Sequence, residues 1–100
     1  MAGWMPIAHL ILELRIEGAK SLKDKRQVVR SLKDKIRASF NVSVAELDET
    51  SLWQRATIGV VGISGSRDYL EGLFQNVEQA ANRIANNNGA EVVDSFLEFI

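Results

Sequence analysis

The chain has 100 residues, 46% of them apolar and 25% charged, with a formal net charge of −1 and no cysteine. This length and composition predict one soluble globular domain over residues 1–100, because the chain is too short to build a second core. The absence of cysteine excludes disulfides, thiol catalysis and metal sites with cysteine ligands, and we expect a reducing, cytoplasmic location.

The first predicted element is a β-strand over residues 7–17, where the side chains alternate between two faces with a period of two. One face is wholly apolar and must be covered by the rest of the fold; it consists of Ala8, Leu10, Leu12, Leu14 and Ile16. The apolar run over residues 4–12 is too short to span a bilayer and follows no basic segment. We therefore expect neither a membrane span nor a signal peptide.

The second element is an amphipathic helix over about residues 21–39. Ser21 stands at the N-cap position, with Asp24 three residues later as a shortened capping box. Five apolar positions fall within about 80° of one another around the helix axis and form its predicted buried stripe. They are Leu22, Val29, Leu32, Ile36 and Phe40.

Two further strands, at residues 42–47 and 53–64, are predicted to form a hairpin around a turn at residues 48–52. Two glycines in the second of these strands, Gly59 and Gly62, indicate a close approach of another backbone segment or a β-bulge.

The remaining elements are a second amphipathic helix, over about residues 67–87, and a final strand at residues 90–100. Ser66 is the predicted N-cap of this helix, with Gly65 and Asp68 as alternatives, and Gly89 stands at the expected C′ position. The final strand has apolar residues on both faces, with Val93, Leu97 and Phe99 on one and Val92, Phe96 and Ile100 on the other.

The order β-α-β-β-α-β predicts an α+β fold of the ferredoxin-like kind. We expect a four-stranded antiparallel sheet in the spatial order 4-1-3-2, with both helices on one face. The other face is left open although it holds apolar residues of its own, such as Ile7 and Ile11. Because bare apolar sheet is unusual beyond a few hundred Å², we predict a homodimer or larger homo-oligomer through this open face. The alternative is a small face shielded by long charged side chains.

The positive charge is concentrated in the first helix. Residues 20–37 hold eight of the twelve lysines and arginines but two acidic residues, a net +6, which leaves −7 for the rest of the chain. Five of these cations follow the spacing i, i+3, i+7, i+10, i+14 and form a predicted basic ridge about 21 Å long. They are Lys23, Arg26, Arg30, Lys33 and Arg37.

The basic ridge has two interpretations. It fits the consecutive phosphates of RNA and would supply affinity without reading bases, so no DNA sequence specificity is expected. The alternative is an ordinary solvated helix surface with an Arg30–Asp34 ion pair. The pI of about 5.8 for the whole chain counts against a nucleic-acid partner.

Sharper functional motifs are absent from the sequence. Neither glycine-rich phosphate-loop pattern occurs, and the strand at 53–64 lacks the aromatic residues with which RNA recognition motifs stack bases. His9 has no second histidine or cysteine to complete a metal site, so we predict no metal. We also predict no cofactor, no catalytic residue and no enzyme activity. Trp53 is expected to anchor the hairpin loop on the core, with contact to a partner as the alternative.

Three stretches carry a resemblance to a known family: SLKDKR at 21–26, FNVSVAE at 40–46 and LWQRA at 52–56. Together with the preceding apolar strand, they closely resemble the bacterial YlxP-like family, a domain of unknown function numbered 503. The resemblance implies a ferredoxin-like fold and a small cytoplasmic protein. Genes of the family often stand among those for translation-initiation and ribosome-binding factors, which implies a role in ribosome assembly or translation through ribosomal RNA or the small ribosomal subunit. The family has no established active site.

We therefore expect a non-enzymatic accessory protein that associates with RNA or ribosomes through the basic ridge. The alternative is a regulatory or scaffolding homo-oligomer of the ACT-like kind, in which two sheets join and a small ligand or protein partner binds between protomers. RNA binding should weaken as salt rises, whereas a small ligand should raise the melting temperature of a protein that has no RNA affinity.

Overall fold

The computed structural model describes residues 6–47 and 52–100, so residues 48–51 of the predicted turn lie outside the described residues. The elements are β1 (Ile7–Arg15), α1 (Leu22–Ser39), β2 (Ser43–Glu46), β3 (Arg55–Ile63), α2 (Arg67–Asn87) and β4 (Glu91–Phe99). The strands pair antiparallel in the order β2-β3-β1-β4, which is the predicted order read from the opposite edge. The predicted α+β, ferredoxin-like fold is confirmed.

The core lies between one face of the sheet and the two helices. α1 lies over β2 and β3, and α2 lies over β1 and β4. The apolar face of β1 is at the centre, where Leu10 and Leu12 are 0% exposed. The buried residues of α1 lie on an arc centred close to Lys25, and Leu22 lies about 60° from Lys25 around the helix axis. Leu22 is accordingly 42% exposed, and Val28 is buried although the predicted stripe omitted it.

Both helices begin at the predicted caps. The Ser21 hydroxyl accepts a hydrogen bond from the Asp24 backbone N–H at 3.1 Å, and the Asp24 carboxylate accepts one from the Lys20 N–H at 2.9 Å. The Ser66 hydroxyl accepts from the Tyr69 N–H at 3.2 Å. The two hydroxyl groups satisfy amide groups that the first turn of a helix leaves unpaired, and the bond to Asp24 holds Lys20, the residue before the α1 cap.

Three glycines stand where a side chain would be costly. A Cβ at Gly59 would lie 2.8 Å from a methyl group of Leu47, and a Cβ at Gly62 would lie 3.0 Å from the ring of Phe74. At both positions a side chain makes the close approach, not the backbone segment or bulge that the sequence predicted, and β3 keeps a continuous register with β1. Gly89, just after α2, has a φ of 74°, in the left-handed region that glycine adopts without steric cost.

β4 departs from the predicted alternation at one point. The register between β1 and β4 shifts so that Leu14 lies opposite Val92, which makes Val93 the additional residue of a β-bulge. Val92 therefore packs against the core, as Phe99 does. The predicted facing of Val92 and Val93 is wrong because a bulge reverses the side-chain alternation of a strand.

The second face of the sheet is apolar at one end and polar at the other. Ile63 is 66% exposed and Phe96 is 61% exposed, and no helix of the described residues covers them. Between these two side chains the β1 residues are half-buried; they are Ile7, His9 and Ile11. At the polar end the Thr57 hydroxyl donates to the Glu13 carboxylate at 2.9 Å. This face is called the open sheet face below.

Candidate nucleic-acid interface on α1

The five cations of the basic ridge lie along one flank of α1, from its first turn to its last. Lys23 is in the first turn and Arg37 in the last. Lys33 is half-buried, and the other four side chains are exposed. The buried residues of the same helix occupy a different arc of its circumference, so the ridge stands at the surface over the full length of α1.

A cleft of about 370 Å³ lies between the ridge and the edge strand β2. It is lined by Arg26, Val29, Arg30, Lys33, Asp34, Arg37 and Glu46. Four of these residues are cationic, two are acidic and one is apolar, so the cleft suits an anionic ligand better than an apolar one. Lys23 does not line the cleft and extends the positive surface beyond its N-terminal end.

Neutralising carboxylates are few along the ridge. Asp34 pairs with Arg37, at 3.7 Å between Oδ1 and Nη1, so the Arg30–Asp34 pair predicted for a solvated surface is wrong. Arg37 also donates to the backbone carbonyl of Val44 at 3.4 Å, which ties the last turn of α1 to β2. Within residues 6–47 and 52–100, four ridge cations form no salt bridge; they are Lys23, Arg26, Arg30 and Lys33.

Lys25 belongs to the basic segment of the sequence but is not part of the ridge. Its side chain is 3% exposed, and Nζ donates to the backbone carbonyl of Leu52 at 3.0 Å and lies 3.8 Å from Glu46 Oε2. Lys25 therefore joins α1 to β2 and to the segment that leads into β3. The helical period contains the signal for this burial, because Lys25 lies between Leu32 and Ile36 around the helix axis, in the middle of the buried arc.

Trp53 lies in the turn before β3 and is 44% exposed, so it does not anchor the loop in the core as the sequence predicted. Gln54 holds this turn instead. Its backbone carbonyl accepts from the Ile16 N–H at 2.8 Å, and its side-chain amide donates to the Ala19 carbonyl at 3.1 Å. Together with Lys25, these bonds fix the turn and leave the indole facing solvent in part.

His9, the one histidine of the chain, is half-buried on the open sheet face. Among the described residues, no three His, Asp or Glu side chains come together in a way that would hold a metal ion. Neither α1 nor α2 combines the length and the apolar character that crossing a membrane requires.

Comparison with protein families gives two matches. Residues 7–96 match the family model of a protein of unknown function, DUF503. The chain is also similar to the uncharacterized protein YlxP of Bacillus subtilis (strain 168), with 37% identity over 65 residues. That alignment covers 65% of this chain and 71% of the relative.

Solved structures with the same fold belong to proteins of different kinds. A dimeric ferredoxin-like protein of unknown function from Thermobifida fusca has a TM-score of 0.52 and 15% identity, over 100% of this chain and 93% of that chain. The de novo designed protein Foldit4 has a TM-score of 0.58 and 9% identity, over 97% of each chain. The YXEP protein of Bacillus subtilis, a dinuclear metal binding peptidase, has a TM-score of 0.63 and 11% identity. This chain spans 26% of the peptidase, and at such identities the likeness shows the fold alone.

Proposed function

The chain belongs to the DUF503 family of proteins of unknown function, and from this premise we propose that it is a non-enzymatic accessory protein that binds RNA phosphates through the basic ridge. One observation carries the proposal: the ridge holds four cations that reach solvent and form no salt bridge in the described part of the chain. We expect the target to be RNA of the small ribosomal subunit in the cytoplasm, because of the gene neighbourhood that the family resemblance implies.

The charge distribution supports binding in one orientation. The segment at residues 20–37 carries +6, and the rest of the chain carries −7. An RNA backbone is therefore attracted to α1 and repelled by the remainder of the surface. The ridge is about 21 Å long, so its cations reach several phosphates of one strand, and contacts of this kind do not depend on base sequence.

Charge reversal on the ridge tests the proposal. We expect the triple variant Arg26→Glu, Arg30→Glu, Lys33→Glu to lose roughly tenfold or more of its affinity for single-stranded RNA in filter binding at low salt. It should also fail to co-sediment with small ribosomal subunits.

A second triple variant provides a matched control, because it changes the net charge by the same amount at exposed positions off the ridge. It carries Lys20→Glu, Lys35→Glu and Arg83→Glu. We expect this control to keep most of the RNA affinity. Equal losses in the two triple variants would mean that net charge, and not the ridge, governs binding, and would contradict the proposal.

The open sheet face favours a second candidate function, an ACT-like regulatory or scaffolding homo-oligomer. Apolar side chains such as Ile63 and Phe96 are more than half exposed on this face. A cavity of about 480 Å³ at its edge is lined by Ile7, Asn41, Val42, Ser43, Val61, Gly62 and Ile63. The Thermobifida fusca neighbour is a dimeric ferredoxin-like protein. We propose that a second copy of this chain covers the open sheet face and that a small ligand or protein partner binds between the protomers.

Oligomeric state separates this candidate from a monomer. We expect sedimentation equilibrium to give a dimer for the wild-type chain and a monomer for Phe96→Glu, because a buried unpaired carboxylate opposes association. Tyr69→Glu is the matched control, since Tyr69 is 60% exposed but lies on α2. A wild-type monomer at all concentrations would contradict the second candidate and leave the RNA proposal unaffected.

A further inference from the structure

Trp53 lies at the end of the molecule where α1 begins. β1 ends at Arg15, directly opposite Arg55 at the start of β3. The start of α1 and the turn that carries Trp53 therefore lie at the same end of the sheet. The hydrogen bond from Lys25, in the first turns of α1, to the Leu52 carbonyl brings the two segments within 3.0 Å. Trp53 and the N-terminal end of the basic ridge consequently lie at the same end of the molecule.

Both neighbours of Trp53 in the sequence are fixed in place. Leu52 is held by Lys25 at 3.0 Å, and Gln54 makes two hydrogen bonds to residues 16–19, at 2.8 and 3.1 Å. The indole between them is 44% exposed. A ring whose backbone is already held loses little conformational freedom when it contacts a ligand, so Trp53 is preorganised for an aromatic contact.

We infer that Trp53 is a stacking site for an unpaired base of the RNA strand that the basic ridge holds, and this inference rests on the proposed function. The ridge cations contact the phosphates of the strand, and the indole contacts the face of a base at the end of the ridge. Every base presents a π-face, so this contact adds affinity without sequence preference.

Stacking on Trp53 gives the protein a selectivity that the ridge alone does not supply. Bases within a duplex already stack on each other and leave no free face for the indole. The site therefore takes single-stranded RNA, such as a loop or an end, in preference to a helix.

Two RNA strands with equal numbers of phosphates isolate the stacking contribution: an oligoadenylate and an abasic ribose-phosphate oligomer of the same length. We expect Trp53→Ala to weaken binding of the oligoadenylate by roughly 5- to 150-fold, the range for loss of one base–aromatic stack. Trp53→Phe should retain most of the affinity because the aromatic face remains. The abasic strand should bind equally to all three proteins, since it contacts the ridge alone.

An aromatic control and a spectroscopic measurement accompany these variants. Tyr69→Ala removes an exposed ring at the opposite end of β3 from Trp53 and should leave oligoadenylate binding unchanged. The chain has two tryptophans, so in a Trp4→Phe background the fluorescence reports Trp53. Oligoadenylate should quench this fluorescence and the abasic strand should not.

The outcomes distinguish failure of the stacking site from failure of the proposed function. If Trp53→Ala binds oligoadenylate as the wild type does while the ridge variant has lost binding, the stacking site is wrong and the ridge stands. If the wild type binds neither strand, the proposed function is wrong and the stacking site with it. If Trp53→Ala abolishes only co-sedimentation with ribosomal subunits, the indole contacts a protein, which also overturns the inference.

Discussion

Replacing Lys25 by methionine tests whether a cation buried beneath α1 holds the β2–β3 hairpin in place. Methionine keeps the apolar stem of the side chain but removes the ammonium group. The Leu52 carbonyl then loses its donor at 3.0 Å, and the Glu46 carboxylate loses its cation at 3.8 Å. The Lys25 and Glu46 side chains are 3% and 13% exposed, so water compensates little for either loss.

We expect Lys25→Met to lower the free energy of unfolding by about 3 kcal/mol. A hydrogen bond from a charged group contributes roughly 1.5–3 kcal/mol, and removal of one partner of a buried ion pair costs roughly 3–5 kcal/mol. We take the lower end of the range for the ion pair, because its two charged atoms are 3.8 Å apart and lie near the limit for a salt bridge. In a domain of this size 1 kcal/mol corresponds to about 4–8 °C, so the melting temperature should fall by about 12–24 °C.

Urea unfolding followed by circular dichroism measures this loss, with Lys23→Met as the matched control. Lys23 is an exposed lysine of the same helix, so its substitution should change stability by no more than about 0.5 kcal/mol. Adding Glu46→Gln to Lys25→Met should recover part of the loss, because it removes the unpaired buried charge. Equal stabilities of Lys25→Met and Lys23→Met would refute the role assigned to Lys25.

Three further substitutions test the local structure by the same unfolding measurement. Gly62→Ala should destabilise the domain by about 1–3 kcal/mol, because the new methyl group meets the Phe74 ring at 3.0 Å; Gly65→Ala, with nothing within 4 Å, is the control and should cost far less. Gly89→Ala should cost about 1–2 kcal/mol because its φ of 74° is strained for alanine, and no effect would exclude the left-handed conformation. Ser21→Ala should cost about 1 kcal/mol through loss of the α1 cap, and Ser21→Thr should restore most of it.

The order of the elements follows from periodicity, and the strand order follows from the rules for connections between those elements. A period of two over β1 and a helical period over α1 and α2 each persist for nine residues or more, which leaves little ambiguity about the type of element. Nothing comparable in the sequence indicates the β-bulge in β4. Val92 and Val93 are both β-branched and apolar, so only the pairing with β1 decides which of them enters the core.

The basic ridge could be located from the sequence because its five cations share one helix. The environment of each cation could not be predicted from the sequence, because it depends on residues that are distant in the chain. The buried ammonium group of Lys25 donates to a carbonyl that lies 27 residues away in the chain. Arg37 donates to the Val44 carbonyl of β2 and also pairs with Asp34. The exposed position of Trp53 likewise results from the bonds of Gln54 and Lys25, which hold the turn without burial of the indole.

The salt dependence of RNA binding tests the basic ridge most directly. Four contacts to single-stranded RNA, one from each ridge cation without a salt bridge in the described residues, predict a slope of about −2.8 for the logarithm of the association constant against the logarithm of salt concentration. Arg30→Glu should reduce the size of this slope by about 0.7, whereas Lys35→Glu should leave it unchanged. A slope near zero, or the same slope for the wild type and Arg30→Glu, would contradict RNA binding by the ridge.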